Sequence, residues 1–392
     1  MFPTLGHLLS YLTGREIILG FPTFGFMVAV SFLLAALTLK SELRRLTEAG
    51  FLHPVIQKVP PPTPPTPTIY LFHGILGFII GYKFGLAVTD SRLFFADPAR
   101  ALFSLQGSVA GGILGAALFV LLRYRESKRF SGSSGPTIRP MPYGELVGNI
   151  TVVAAVSGII GAKIFHNLEY PQEFLADPVG SLFSQGGLTF YGGLLFGIAA
   201  VGWYVWKKGL NPIRVADAAA PGLMLAYGVG RIGCQLSGDG DWGIVNLRPK
   251  PSLLSWLPDW MWAYNYPHNV AGEGIPIPGC AGPYCTILPE PVFPTPIYET
   301  IAGLFLFSIL WALRKRFQRP GLLFSVYMIF NGFERFWIEK IRVNAQYHLG
   351  FISLTQAEII SSFLLVGGVA GIFLTRKYHV FLEKFSKRPK NS

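Results

Sequence analysis

Residues 23–39 read TFGFMVAVSFLLAALTL, a run without a single charge that ends at Lys40. A helix needs roughly 20 apolar residues to cross the hydrocarbon core of a bilayer, and 17 is the lower end of that range. Eight further stretches have the same character, at about 70–88, 108–124, 144–165, 188–206, 214–234, 297–313, 320–339 and 355–375. The chain is therefore expected to be all-α, a polytopic transmembrane bundle of about nine spans. The 214–234 stretch is the least typical, because Arg214, Asp217 and Arg231 fall within or beside it. Composition agrees: 51% of residues are hydrophobic and 14% charged, where a soluble domain carries about a quarter charged residues. The 45 glycines suit helices that approach closely in lipid. No signal-peptide cleavage pattern precedes the first span, and residues 1–20 read as a short amphipathic segment at the interface.

A net charge of +12 would fit nucleic-acid binding, but the basic residues sit in short clusters at the ends of apolar runs. The loop after the first span holds Lys40, Arg44, Arg45 and Lys58, and the third holds Arg123, Arg125, Lys128, Arg129 and Arg139. The fifth holds Lys207 and Lys208, the seventh Arg314, Lys315, Arg316 and Arg319, and six more Lys or Arg follow residue 375. Between them lie basic-poor loops; residues 166–187 have no Lys or Arg at all. Positive charge stays on the cytoplasmic side, so the N-terminus is expected outside, the C-terminus in the cytoplasm, and the long 235–296 segment outside. That gives an amphipathic start and first span (1–40), a cytoplasmic linker (41–69) and a helical hairpin (70–125). Core spans four to six (126–234), the outer segment (235–296), and spans seven to nine with a basic tail (297–392) complete the chain. The linker's PPPTPPTP at 60–67 is a stiff extended spacer.

The 70–125 hairpin belongs to a repeat. FFADPARALFSLQGSVAGGILG at 94–115 echoes FLADPVGSLFSQGGLTFYGGLLFG at 174–197, and IIGYK at 79–83 echoes IIGAK at 159–163, a period of about 80 residues. Gly111 and Gly115 in one copy, and Gly193 and Gly197 in the other, have the small-xxx-small spacing of close helix contacts. The outer segment is rich in Pro, Gly, Trp and Tyr, as in SWLPDWMWAYNYPH at 255–268, which suits a domain resting on the interface. Cys280 and Cys285 within it are open to a disulfide, to remaining as two thiols, or to half of a metal site.

Chemistry is sought where polar residues are costly. An ionisable side chain inside a membrane needs a partner and marks a functional site by default. One cluster is GVGRIGCQLSGDGDWG at 228–243, with Arg231, Asp239 and Asp241 among six glycines. Another is NGFERFWIEKIR at 331–342, where Asn331, Arg335, Glu339 and Arg342 share one helical face. Between them, FPTPIYETI at 293–301 brings Tyr298 and Glu299 into the seventh span. GVGRIG matches the glycine pattern of dinucleotide sites, but it lies in an apolar span rather than between a strand and a helix, so it is read as packing. Arg335 and Glu339 equally fit a structural i,i+4 pair. The seven histidines are isolated, and no metal-ligand spacing, Walker loop or serine elbow is present.

In order along the chain, these segments resemble the prolipoprotein diacylglyceryl transferase family. PTFGFMVAV (22–30) is similar to its first span, GLTFYGGLLFG (187–197) to its His-Gly-Gly segment, and GRIGCQLSGDGDWG (230–243) to its glycine-arginine signature. FPTPIYE (293–299), GFERFWIEKIR (332–342) and LGFISLTQ (349–356) are similar to its later elements. The resemblance leaves out the 70–125 hairpin, which reads as an insertion into a seven-span layout. Phe24 stands where the family has Tyr, Tyr191 where it has His, and Cys234 where it has Asn; the signature is one residue longer, with Asp239 nearest the family's Glu.

The resemblance implies a transferase of the bacterial inner (cytoplasmic) membrane. It would move the diacylglyceryl group of phosphatidylglycerol to the lipobox cysteine of prolipoproteins, with membrane lipid around it and no cofactor, metal or nucleic acid. The implied catalytic set is Arg231, Arg335, Tyr191, Asp239 and Glu339; the implied substrate-binding set is Gly192, Gly193, Gly230, Gly233, Asp241, Gly243, Tyr298, Glu299 and Arg342. Two other readings remain: a transporter or flippase for a lipid or anionic solute, and an inactive paralogue that binds lipoprotein precursors.

Overall fold

A helix at one place in the chain touches four others and fixes the architecture. This is α8 (Pro212–Ser237), the stretch that looked least like a span. In the computed structural model it packs against α2 (Thr23–Glu48), α7 (Phe190–Lys207), α9 (Thr295–Leu313) and α10 (Leu322–Glu339). The structure describes residues 1–17, 19–59, 66–90, 104–129, 137–178, 181, 189–343, 346–349 and 352–377. Most of the PPPTPPTP linker, much of both repeated loops and the basic tail from 378 lie outside the described residues.

Around α8 stand α1 (Leu5–Thr13), α3 (Pro67–Thr89), α4 (Val109–Arg129), α5 (Tyr143–Glu169), the short α6 (Pro171–Ala176) and α11 (Gln356–Lys377). Among the described residues, five helices are long and apolar enough to cross a membrane: α2, α3, α5, α9 and α11 over Gln356–Thr375. The remaining expected spans are also helical, in α4, α7, α8 and α10. Large apolar side chains cover the outward faces, for example Leu71, Phe72 and Ile75 on α3, as lipid-facing helices require.

The charges of α8 explain how it can be central. Asn211 caps its start by accepting from the Ile213 and Arg214 amides. Arg214 donates to the Gln318 carbonyl at 3.1 Å. Asp217 accepts from the amides of Gly321 (2.6 Å) and Phe324 (2.8 Å), and so caps α10 from a neighbouring helix. Nearby, the buried Glu42 of α2 pairs with Arg45 at 2.7 Å and with Arg314 at 2.9 Å. Each charge answers another group, so the helix remains buried without orphaned ions.

Small residues set the remaining contacts. A Cβ on Gly228 would lie 3.1 Å from the Leu304 amide nitrogen, and one on Gly303 would lie 2.9 Å from Gly228 Cα; these two glycines let α8 and α9 touch. α3 and α4 form a hairpin whose base is an antiparallel ribbon, β1 (Ile56–Val59) with β2 (Thr137–Pro140), paired Ile56 to Pro140 through Val59 to Thr137. Neither helix packs extensively on any other among the described residues. α5 and α7 form the second hairpin, which leans on α2 and α8. Gly197, expected at that contact, faces open space, and Gly192 takes its place, with its Cβ position against the Gly161 carbonyl.

The segment between α8 and α9 is largely loop, with two 3-10 turns and a minimal ribbon, β3 (Ile275–Pro276) with β4 (Thr286–Ile287). Its own small core holds Trp242, Tyr266, Leu288 and Val292. Cys280 and Cys285 are joined in a disulfide. At the other end of the chain β5 (Gln346–Leu349) pairs with β6 (Ile352–Thr355). Thr355 and Glu358 then form a reciprocal capping box for α11, at 2.9 and 3.2 Å.

Candidate active site

The site begins with a carboxylate that burial should forbid. Glu299, in the first turns of α9, has no exposed side-chain surface. Three arginines from two other elements reach it. Arg231 of α8 places Nε 2.6 Å from one oxygen. Arg335 of α10 and Arg342, just past the end of α10, each place an Nη1 3.2 Å from the other. A buried carboxylate without such partners would cost several kcal/mol. With them it becomes the hub that ties α8, α9 and α10 together.

Asp241 makes the second bridge. Arg231 and Arg342 grip its two oxygens, one each. The grip is possible because α8 stops at Gly238, in the left-handed conformation (φ 64°), and the chain doubles back. Thr295 Oγ1 then donates to the Asp241 carbonyl at 2.7 Å. Gly243 bonds the Phe293 carbonyl at 2.8 Å and forms a bridge with Arg342. A Cβ there would run into the Ile341 carbonyl and sit 2.9 Å from Phe293 Cβ, so only glycine allows the strand-like crossing. Burial alone would push the Asp241 carboxyl up, but Arg231 and Arg342 outweigh it and hold it below the usual carboxylate range. Asp239 differs: burial first, and then the neighbouring Asp241, raise it above that range. The Asp241 amide donates to Asp239 at 3.3 Å.

The other expected residues fall as follows. Glu339 pairs with Arg335 at 3.2 Å, so the i,i+4 contact exists and belongs to the same network. Tyr191, half-buried at the start of α7, lies within the electrostatic reach of Arg335 and Glu339. Gly230 faces open space, while Gly233 packs on Met27 and Phe24 of α2. Gly192 and Gly193 press against α5, at Gly161 and Gly158. Tyr298 turns away from its neighbour Glu299 and donates to the Met261 carbonyl at 2.8 Å, fastening the 235–296 segment to α9.

The sequence reading passed over one pair. Tyr227 of α8 donates to Glu334 of α10 at 3.0 Å, and its ring lies under the Arg231 guanidinium, 5.4 Å from the centroid. Four residues separate Tyr227 from Arg231, so helical spacing was the available signal.

Cys234, Asp239 and Asp241 bring ligand atoms within 4.8 Å of one another. Asp241 is already shared by two guanidinium groups, so a cation there would meet like charge. The arrangement suits an anion better. Arg231 uses Nε and Nη1 in the contacts just given, and the planar fork of arginine has further N–H groups for phosphate oxygens.

Comparison with known proteins gives the family. The family model for prolipoprotein diacylglyceryl transferase matches residues 112–374, from within α4 to near the end of α11. A phosphatidylglycerol–prolipoprotein diacylglyceryl transferase of Corynebacterium glutamicum is 30% identical over 238 residues, covering 59% of this chain and 70% of that protein. The enzymes of the same name from Leptospira interrogans and Vibrio vulnificus are 32% and 33% identical, covering 55% and 64% of this chain and 69% and 79% of theirs. The matched range contains Arg231, Asp241, Glu299, Arg335 and Arg342 together, and the chain belongs to the prolipoprotein diacylglyceryl transferase family.

Proposed function

We propose that this chain transfers the diacylglyceryl group of phosphatidylglycerol to the thiol of a prolipoprotein lipobox cysteine, and that the Arg231–Glu299–Arg335–Arg342 network is where the phosphate is handled. One observation carries the assignment of the site: three arginines converge on one buried carboxylate where α8, α9 and α10 meet. The sulfur, as thiolate, attacks the diacylglycerol carbon that bears the phosphate. A C–S bond forms, the C–O bond to phosphate breaks, and glycerol phosphate leaves with the electron pair. Negative charge grows on the phosphate oxygens, where preformed guanidinium donors stabilise it best.

Arg231 and Arg335 supply those donors. Glu299, Asp241 and Glu339 hold them in place, and Arg342 balances the acids. Tyr191 orients substrate by hydrogen bonding, and two nearby carboxylates, Asp239 and the Tyr227-bonded Glu334, are not paired with an arginine among the described ion pairs. The open space at Gly230 lets a headgroup approach the backbone beside Arg231.

The nine spans, an outside N-terminus and a cytoplasmic C-terminus complete the reading, with the inner membrane as location and the network at the outer face. Mass spectrometry of a lipobox peptide incubated with the purified protein and phosphatidylglycerol tests the reaction. The cysteine peptide should gain one diacylglyceryl group and its serine analogue none; modification of neither would remove the activity. For topology, Asp259→Cys should react with an impermeant thiol reagent in intact cells and Arg316→Cys should not. The reverse pattern would invert the scheme.

A further inference from the structure

The connector between α8 and α9 carries an apolar surface that the network does not use. Leu253 is 83% exposed, Trp256 76% and Leu247 70%. Leu253 lies in the 3-10 turn Ser252–Leu254 and Trp256 two residues past its end, and both are exposed. Leu254 and Leu257 are half-buried instead. The turn is braced. Lys250 Nζ donates to the Leu257 carbonyl at 2.8 Å and pairs with Asp259 at 2.5 Å, Trp262 Nε1 donates to the Arg248 carbonyl at 2.9 Å, and Asn246 donates to the Trp262 carbonyl at 2.7 Å. The exposed side chains are thus held out by a fixed loop, and water is a poor solvent for them.

We infer that residues 247–260 form an interfacial foot that seats in the headgroup region of an anionic lipid surface beside the site. Three observations favour lipid over a protein partner. The connector leaves the bundle at the end of α8, which packs on the span-length helices α2 and α9, and rejoins it at the start of α9, so it is tethered close to the bilayer surface. Trp and Leu beside the basic Arg248, with Lys250 balanced by Asp259, are the composition of a segment that lies in the headgroup layer with a net positive charge. Finally, Tyr298, one residue before Glu299, holds the chain where the foot ends, through the carbonyl of the next residue, Met261. Lipid engaged by the foot is therefore brought next to the arginine network. The inference deepens the proposed transfer and rests on it for the identity of the lipid.

Two measurements on the full chain in phospholipid nanodiscs decide the matter. A nitroxide on Trp256→Cys should be more accessible to oxygen and less accessible to a nickel chelate than one on Glu290→Cys, an exposed position in the same connector. Equal accessibility at both sites, or exclusion of both reagents at 256, would overturn the foot. In phosphatidylglycerol vesicles, Leu253→Ser with Trp256→Ser should raise the lipid KM at least fivefold with kcat unchanged. In detergent with short-chain phosphatidylglycerol the same variant should match the wild type. An unchanged lipid KM, or a rise in the peptide KM instead, would contradict it. The nitroxide measurement needs no turnover, so a wild-type protein without transferase activity would sink the proposed function and leave the foot standing or falling by itself.

Discussion

The two repeated hairpins, α3–α4 and α5–α7, are built by the same local rules and have different fates. In each, a glycine of the first helix meets a glycine of the second at the backbone: Gly81 with Gly111, and Gly161 with Gly192. In each, the amide that opens the second helix bonds back to the residue after the first glycine, Ser108 to the Tyr82 carbonyl at 2.9 Å and Thr189 to the Ala162 carbonyl at 3.2 Å. Each also has a lysine two positions beyond that glycine that donates to carbonyls of the loop joining the two helices. Lys83 reaches Ser104 at 2.5 Å and Gln106 at 2.8 Å, and Lys163 reaches Ser181 at 3.1 Å. Yet α7 touches α8 and brings Tyr191 towards Arg335, whereas α3 and α4 pack mainly on each other and have the exposed Ala110 at the position matching Tyr191. Glycine contacts fold a hairpin in lipid; what that hairpin packs against decides whether it serves the site.

The strongest test of this separation is at the hub, outside both hairpins. Glu299→Ala leaves three arginines facing one another, and breaking a buried ion pair costs about 3–5 kcal/mol. We expect little folded, active protein and a large fall in thermal midpoint, with Glu299→Gln intermediate. A stable, active Glu299→Ala would show that the network is not the structural centre.

Next in size is a valine at equivalent glycines. Gly192→Val should force α7 off α5, at about 1–3 kcal/mol of overpacking, and displace Tyr191, with a loss of activity of at least tenfold. Gly111→Val should splay α3 from α4 equally and leave turnover within about threefold of wild type. Equal losses would mean that the first hairpin supports the site.

The smallest expected effect is at the matching pair itself. A phenol stays protonated at neutral pH and is a poor base there, so Tyr191→Phe should lower kcat roughly tenfold, the size of one lost hydrogen bond, and leave measurable turnover. Asp239→Asn should cost more. Ala110→Tyr should change nothing. Undetectable turnover for Tyr191→Phe beside a healthy Asp239→Asn would make the tyrosine the catalytic group.

Much of this was legible in the sequence for definite reasons. Apolar runs announced the helices because hydrocarbon tolerates little else, and charges inside those runs announced Arg231, Arg335 and Glu339. The repeat predicted the paired hairpins. What sequence could not resolve was orientation around a helix. Tyr298 and Glu299 are adjacent and looked equivalent, but one faces the connector and the other the network. Asp239 and Asp241 are two residues apart, and only the turn after Gly238 shows which one meets two arginines. Gly192 and Gly193 were implied as substrate-binding by the resemblance, and their packing against α5 was not visible in the sequence. The Tyr227–Glu334 pair needed the packing of α8 on α10 to appear at all.

The central claim is that Arg231 stabilises phosphate as it leaves, through a forked contact that a point charge cannot reproduce. The direct measurement is the single-turnover rate of thioether formation, with released glycerol phosphate counted alongside, for wild type and Arg231→Lys in the same nanodiscs. The account predicts one glycerol phosphate per thioether in the wild type. For Arg231→Lys it predicts a rate lower by roughly 10²–10³-fold in protein that inserts and accumulates normally. Arg231→Lys turning over at close to the wild-type rate would contradict it.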